Sequence, residues 1–417
     1  MQKTFSAIIK EKTLRTKVLW VLGLLAVTRL IASIPLPGVD TEKLANFLAG
    51  NQLFEYLSLF SGSGFSTFSV TLLGLGPYIT ASILVQVGSM IFPELKKMMH
   101  EEGEIGRKKI TQYTRIITVP FAFLQGFALM KILASQGILT ANSSYEIFLN
   151  LLVMTAATMI LLFIGEKITE FGMGNGTSLI IFSGIAAAMP GKISQLYSTF
   201  DSSNIPLYLV LFILGILVIA LVVFVNEAER RVPITYARAY DTQQNLDTHL
   251  PLKINQAGMI PIIFALALFT MPQFVAQYLT TSSIVSLHVL GSYINAFFAN
   301  KILYMVVYFL LVFFFTFFYT SVVVEPEEIS KNLHKRGAFV PGIRPGENTT
   351  EYLANIITKI TFVGAVFLGL VALLPIGLQA ITGLQALAIG GTSVLIAVST
   401  ALETYKKVEA QATLTEY

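Results

Sequence analysis

Ten stretches of this chain are apolar for long enough to cross a membrane, and that pattern limits the fold more than any other feature. They run 18–34, 76–92, 115–133, 147–165, 176–190, 206–226, 256–278, 301–324, 355–376 and 385–404, with 176–190 the shortest. A spanning helix needs about 20 such residues to cross roughly 30 Å of hydrocarbon. Inside lipid the backbone must satisfy its own hydrogen bonds, which leaves helices or closed barrels. Runs of this length select helices. Composition agrees: 54% of the 417 residues are apolar and only 12% are charged, where a soluble domain carries roughly 25% charged residues. Mean hydropathy is +0.71. The expected fold is an all-α polytopic membrane protein of about ten transmembrane helices.

The basic residues set the expected orientation. Connections on the amino-terminal side hold Lys96, Lys97, Arg107, Lys108, Lys109, Arg115, Lys167, Arg230, Arg231, Arg238, Lys253, Lys331, Lys335, Arg336, Arg344 and Lys359, and both termini add more. The opposite side holds Lys43, Lys131, Lys192 and Lys301. Cytoplasmic loops carry the excess of Lys and Arg, so both termini are expected in the cytoplasm. The pI near 9.0 thus reflects membrane topology rather than nucleic-acid binding. The first 17 residues, "MQKTFSAIIKEKTLRTK", read as a basic surface helix at the cytoplasmic interface, and no cleavage site follows the first apolar run. The longest connections, 227–254 and 325–354, are too short to be independent domains.

Several chemistries are excluded. There are no cysteines, so disulfides, thiolate metal sites and thiol redox motifs are absent. The four histidines, His100, His249, His288 and His334, show no metal-ligand spacing,. No phosphate loop, H-E-x-x-H or G-x-S-x-G occurs, and neither an enzyme nor a cofactor is expected. "GMGNG" at 172–176 lacks a preceding strand and reads as a helix break. Arg29 is the one charge well inside a span, with Glu166 and Lys167 at a span end. Such residues usually mark ion-coupled transport, but Arg29 reads rather as a side chain that snorkels to an interface or bonds backbone carbonyls, which weakens a coupled transporter. A pore lined by apolar and small residues needs no charged filter, because a greasy constriction excludes water.

Ten spans divide into five and five, and interrupted helices at matching places of two repeats point to a substrate path. Gly76-Pro77 opens the second span, and Gly258 with Pro261 opens the second span of the other half. Ile79 and Ile83, like Ile181 and Ile185, are four apart and project from one helix face. That spacing alone does not distinguish a pore collar from ordinary packing.

Longer strings point further. "FIGEKITEFGMGNGTSLIIFSGI" (163–185), "LPLKINQAGMIPIIFA" (250–265), "KRGAFVPGIRPGENTTEYL" (335–353), "GPYITASILVQ" (76–86) and "EEGEIGRKKITQYTR" (101–115) closely resemble the bacterial SecY family, in order along nearly the whole chain. The resemblance implies an hourglass pore between two inverted five-helix halves, 18–190 and 206–405, with a short cytoplasmic tail, 406–417. It carries a constriction ring onto Ile79, Ile83, Ile181, Ile185, Ile263 and Ile396. It also implies a re-entrant plug helix over 61–72, formed by Ser61, Gly62, Ser63, Gly64, Phe65, Ser66, Thr67, Phe68, Ser69, Val70, Thr71 and Leu72. Glycines there weaken a helix by roughly 1 kcal/mol each against alanine, and the hydroxyls suit a segment that meets water once displaced.

The family opens sideways between the second and third spans and the seventh and eighth. Asn255 matches a polar gate position, and Gln86 is inferred as its partner. The connections 227–254 and 325–354 resemble docking loops for the SecA motor ATPase and the ribosome, through Arg230, Arg231, Arg238, Lys335, Arg336 and Arg344. Arg344 in "GIRPGE" matches a critical arginine, against the simpler reading of a bond within its own loop. The implied function is a protein-conducting channel in the bacterial plasma membrane. It passes unfolded preproteins, releases hydrophobic segments into lipid, recognises signal sequences, and assembles with SecE and a SecG-type subunit. Two other classes fit the hydropathy: a small-solute secondary transporter with inverted repeats, and a membrane scaffold without a conduit.

Overall fold

The structure, a computed structural model, describes residues 11–39, 43, 68–100, 102–139, 143–171, 174–198, 205–236, 249–280, 284–382 and 386–415. Helix dominates, and each of the ten expected spans falls on one. In chain order the helices are α1 (Lys12–Ala32), α2 (Gly76–Ile91), α3 (Pro93–His100), α4 (Gly103–Ser135), α5 (Ser144–Glu170), α6 (Gly176–Ser198) and α7 (Ile205–Glu227). They continue as α8 (Ile260–Thr280), α9 (Val285–Ala299), α10 (Lys301–Val323), α11 (Pro326–Lys335), α12 (Glu347–Thr382) and α13 (Ala386–Thr415). Among the described residues six helices are long and apolar enough to span unaided: α4, α5, α7 from Tyr208, α8, α10 extended through Lys335, and α12 to Gln379. The pair α2 and α3, bent by 111° at its break, makes a seventh.

Local sequence explains where helices start and stop. Phe92 is extended, with ψ at 112°, as a residue before proline must be, and Pro93 restarts the chain as the basic helix α3. Pro77 lies in the first turn of α2, where its missing N–H forfeits no bond. Gly258, with φ of 64°, precedes α8, whose second residue is Pro261. Both interruptions seen in the sequence are therefore helix starts. Arg29 stands in the last turn of α1, where helix carbonyls favour a cation.

The chain forms two compact units. The first comprises Met1–Asp201, Leu266–Tyr304 and Thr400–Tyr417; the second comprises Ser202–Ala265 and Met305–Ser399. In the first, α4 packs on α2, α3 and α5, and α5 packs on α1 and α6. Its core gathers Leu36, Phe68, Leu72, Leu129, Leu133, Met154 and Phe274. Gly176, at the start of α6, lies against the backbone of Gly165 in α5, so close that a Cβ would stand 2.7 Å from the Gly165 carbonyl carbon. This approach is the physical content of the "GEKIT…GNG" string. Thr169 Oγ1 accepts the Gly176 amide at 2.9 Å, and Asn175 Oδ1 accepts the Thr177 amide at 3.1 Å.

In the second unit the described parts of the two long connections form short strands and a helix. Strand β1 (Glu229–Pro233) pairs antiparallel with β3 (His249–Lys253), setting Arg230 opposite Leu252 and Arg231 opposite Pro251. Strand β2 (Thr235–Tyr236) pairs with β4 (Ala338–Phe339), which ties the first connection to the second. Val232, Leu252, Leu333, Val340, Leu353 and Ile357 close over a small core beneath them.

Candidate functional site

All six isoleucines of the expected ring are buried. Ile79 and Ile83 lie on α2, Ile181 and Ile185 on α6, Ile263 on α8 and Ile396 on α13. The first four belong to the first unit and the last two to the second. The helix carrying Ile181 and Ile185 takes its position from the Gly176–Gly165 contact at its first residue.

The plug stretch falls only partly in view. Ser61, Gly62, Ser63, Gly64, Phe65, Ser66 and Thr67 lie outside the described residues. Phe68–Leu72 form turns around an isolated antiparallel bridge from Ser69 to Pro35, and all five are buried to 8% exposure or less. They are also fastened: the Leu36 amide donates to the Phe68 carbonyl at 2.8 Å, and the Val70 amide to the Ile34 carbonyl at 2.9 Å. Ser69 and Thr71 share a hydroxyl hydrogen bond at 2.8 Å inside the core. Phe68 has φ of 46°, a left-handed conformation that costs a side-chain-bearing residue roughly 1–2 kcal/mol. Packing of its fully buried ring offsets that cost. These five residues are packed into the core of the first unit.

The two polar residues expected at the gate are each held within their own unit. Gln86 Nε2 donates to Ser82 Oγ at 3.0 Å, one turn back on α2. Asn255 Nδ2 donates to Asn226 Oδ1 at 2.7 Å, and Asn226 Nδ2 donates to Ser399 Oγ at 3.2 Å. The resulting Ser399–Asn226–Asn255 chain was not visible in the sequence, because its members are 173 and 29 residues apart.

A second polar contact was missed altogether. Gln125, buried on α4, donates from Nε2 to Thr80 Oγ1 on α2 at 3.4 Å and to Met271 Sδ on α8 at 3.9 Å. It joins the second, third and seventh expected spans within the first unit. The available signal was a lone amide inside the 115–133 run. At the basic end of the same helix, Arg115 Nη2 meets Glu166 Oε2 at 2.6 Å, linking α4 to α5.

The basic loop residues are presented to solvent. Arg230 and Arg231 are exposed on β1, and Arg231 Nε touches Glu229 Oε1 at 3.3 Å. Lys335, Arg336 and Arg344 are exposed, whereas Arg238 lies outside the described residues. The Arg344 carbonyl accepts Thr349 Oγ1 at 3.0 Å, so the backbone of its loop is fixed. Among the described residues no carboxylate lies within ion-pair distance of the Arg344 guanidinium. No cluster of potential metal ligands occurs among the described residues.

Helices of spanning length joined by exposed basic loops define the class, a multi-pass helical membrane protein. Solved structures share the fold: "The structure of a protein conducting channel" matches with TM-score 0.69 at 17% identity, covering 98% of this chain and 95% of that one. "Sec61 in the Canine ribosome-channel complex from the endoplasmic reticulum" matches with TM-score 0.64 at 18% identity, covering 98% and 95%. The family model SecY matches residues 69–405. The protein translocase subunit SecY of Thermus thermophilus is 40% identical over 100% of this chain and 97% of its own length. That of Porphyra purpurea is 39% identical over 96% of each, and that of Bacillus subtilis 37% over 99% and 97%. The chain belongs to the SecY family.

Proposed function

We propose that this chain is the protein-conducting channel of a bacterial translocon, with both termini cytoplasmic in the plasma membrane. One observation carries the reading: 37–40% identity along essentially the full length to proteins named as translocase subunits. Unfolded preproteins cross a constriction made by Ile79, Ile83, Ile181, Ile185, Ile263 and Ile396, while hydrophobic segments leave between the halves 18–190 and 206–405. Residues 1–17 are the basic cytoplasmic amino-terminal segment, leading into α1, and 406–417 a short cytoplasmic tail. The removable part of the plug lies upstream of Phe68, whose core packing favours a fixed root at 68–72.

The lateral gate includes Gln125 with Thr80 beside the Gln86 and Asn255 positions, because Gln125 bridges the spans between which the seam opens. Interhelical hydrogen bonds of this kind are worth about 0.6–1.7 kcal/mol, a barrier that an apolar signal sequence offsets by its own contacts. Arg230, Arg231, Arg238, Lys335, Arg336 and Arg344 meet acidic surfaces of the SecA motor or ribosomal RNA phosphate, both sensitive to salt. SecE and a SecG-type subunit complete the complex. No hydrolysis occurs on this chain; SecA, ribosomal elongation or the membrane potential supplies the energy.

The test is reconstitution. Proteoliposomes holding this chain with its SecE-type subunit should protect a signal-bearing preprotein from external protease when SecA and ATP are added. Solute uptake driven by an ion gradient, with no preprotein protection, would replace this reading with a carrier.

A further inference from the structure

Between Lys253, where β3 ends, and Ile260, where α8 starts, the chain attaches the helix that carries Ile263. The backbone is fixed at the near end of this link. The Ile254 amide donates to the Ala228 carbonyl at 2.9 Å, extending the β1–β3 ladder by one rung. The Ile254 carbonyl also lies against Gly364 of α12, where an added Cβ would stand 2.8 Å from the oxygen. The far end is different. Gly258 takes φ of 64°, with nothing within 4 Å of an added Cβ, and a glycine in open space can turn where other residues cannot.

Asn255, between these two points, is held through its side chain. It is 7% exposed. Among the described residues its one side-chain hydrogen bond is the donation from Nδ2 to Asn226 Oδ1 at 2.7 Å, and its own Oδ1 is buried without a partner. Asn226 stands in the last turn of α7 and donates from Nδ2 to Ser399 Oγ at 3.2 Å. Ser399 follows Ile396 by about one helical turn on α13,. One half-buried amide therefore gives its acceptor to the foot of α8 and a donor to α13, the helices bearing the two ring isoleucines of the second unit. A polar residue closing an apolar span is more simply a helix end meeting water. That account fails here, because both amide atoms of Asn226 are engaged by residues 29 and 173 positions away.

We propose that Asn226 is a positioning residue that sets how readily a signal sequence opens the conduit; the inference rests on the channel reading above. With Asn226 in place the foot of α8 is tied to α7 and α13, so α8 swings only beyond Asn255, about Gly258. Without it Asn255 is left buried with its amide unsatisfied, a cost that is relieved when the group shifts to water or to another partner. The foot then yields, and a signal sequence needs fewer contacts of its own to part the seam. Asn226 touches no passing chain in this scheme; it acts through Asn255 and the helix of Ile396.

For the test, the complete complex in proteoliposomes receives SecA, ATP and one of two preproteins, identical except for an arginine in the apolar core of one signal. The readout is protease protection of the weakened preprotein relative to the intact one, a ratio that a mere loss of folded complex leaves unmoved. Asn226→Ala should raise it about three-fold or more, the effect of one interhelical hydrogen bond. Asn226→Asp should stay near the wild-type ratio, since one carboxylate oxygen accepts from Asn255 and the other from the Ser399 hydroxyl. Ser399→Ala removes one link at a half-buried position; it should raise the ratio less, and it decides the matter where Asn226→Ala does not accumulate. Asn226→Ala with Asn255→Ala should go no further than the larger single change. An unchanged ratio in the alanine variants, an equal rise in Asn226→Asp, or additive effects at Asn226 and Asn255 would overturn the proposal alone. Protection of neither preprotein by the wild type would overturn the channel reading, and the proposal with it.

Discussion

Replacing Gly176 by alanine tests how the conduit helices are placed. An added Cβ would stand 2.7 Å from the carbonyl carbon and 3.0 Å from the Cα of Gly165, and nearer still to the Gly165 oxygen. Comfortable separation of such atoms is about 3.5–4.0 Å, so α5 and α6 must part by on the order of 1 Å. The obstacle is backbone in a helix and cannot swing aside as a side chain does. Overpacking of this kind costs about 1–3 kcal/mol, and we expect Gly176→Ala at the upper end.

Two neighbours calibrate that figure. A Cβ on Gly165 would meet Thr177 Cγ2 at 3.3 Å and Ile180 Cδ1 at 3.4 Å, side-chain tips that can yield, and the Thr177 backbone nitrogen only at 3.4 Å, an ordinary contact. Gly165→Ala should therefore cost about 1 kcal/mol or less. Gly191, within α6, has nothing within 4 Å of an added Cβ, and Gly191→Ala should gain up to about 1 kcal/mol from helix propensity. Thermal midpoints of the purified protein can be followed through Trp20, which stacks on Phe171 with ring centroids 6.4 Å apart near this junction. Because α6 carries Ile181 and Ile185, Gly176→Ala should also raise ion leak in planar bilayers. An order other than Gly176, Gly165, Gly191 in destabilisation would refute the close-approach argument.

Other outcomes follow from single contacts. Arg115→Gln and Glu166→Gln should each lower the thermal midpoint, while the double variant should lose less than their sum, since each single change leaves an unpaired charge at a partly buried site. Phe68→Ala should cost about 3–5 kcal/mol as a core cavity, whereas deleting 61–67 should mainly raise bilayer leak; equal thermal loss from both would remove the distinction between root and plug. Arg344→Glu should depress SecA-driven export at unchanged abundance of the chain, and normal export would withdraw that assignment. On α11 the hydrogen bond and charge of Lys331 hold the Glu327 carboxyl below its ordinary range, and Glu327 holds the Lys331 ammonium above its own. The carboxylate contribution is present above the unfolded Glu value and disappears as pH falls through the lowered one. The lysine contribution is present below the unfolded Lys value and disappears as pH rises through the raised one. Protection of the α11 amides, corrected for the intrinsic pH dependence of exchange, should fall at both extremes, and Glu327→Gln should flatten both limbs.

The spans were legible because lipid leaves the backbone few options, so a hydropathy run of sufficient length implies a helix with few alternatives. The same reasoning was silent on α9, whose 15 residues reach only about 22 Å at 1.5 Å each, and on β1 to β4, too short to show an alternating pattern. Contacts between distant residues were hidden for a different reason. Gln125 looks in sequence like a polar defect in a greasy run; only folding shows that its amide finds a hydroxyl on α2 and a sulfur on α8. In hydrocarbon an amide without partners costs several kcal/mol, so a glutamine inside a span signals either a neighbour able to bond it or a water-filled path. The same rule applied to Asn226, Asn255 and Ser399 would have grouped them as interior residues seeking partners, though not with whom. Glycine gave the complementary signal. Gly165 and Gly176 stand eleven residues apart around a helix break, and their backbone contact turns a string recognisable by resemblance into a geometric requirement: without side chains at those two positions, the helix bearing two of the six expected ring isoleucines can lie directly on its predecessor.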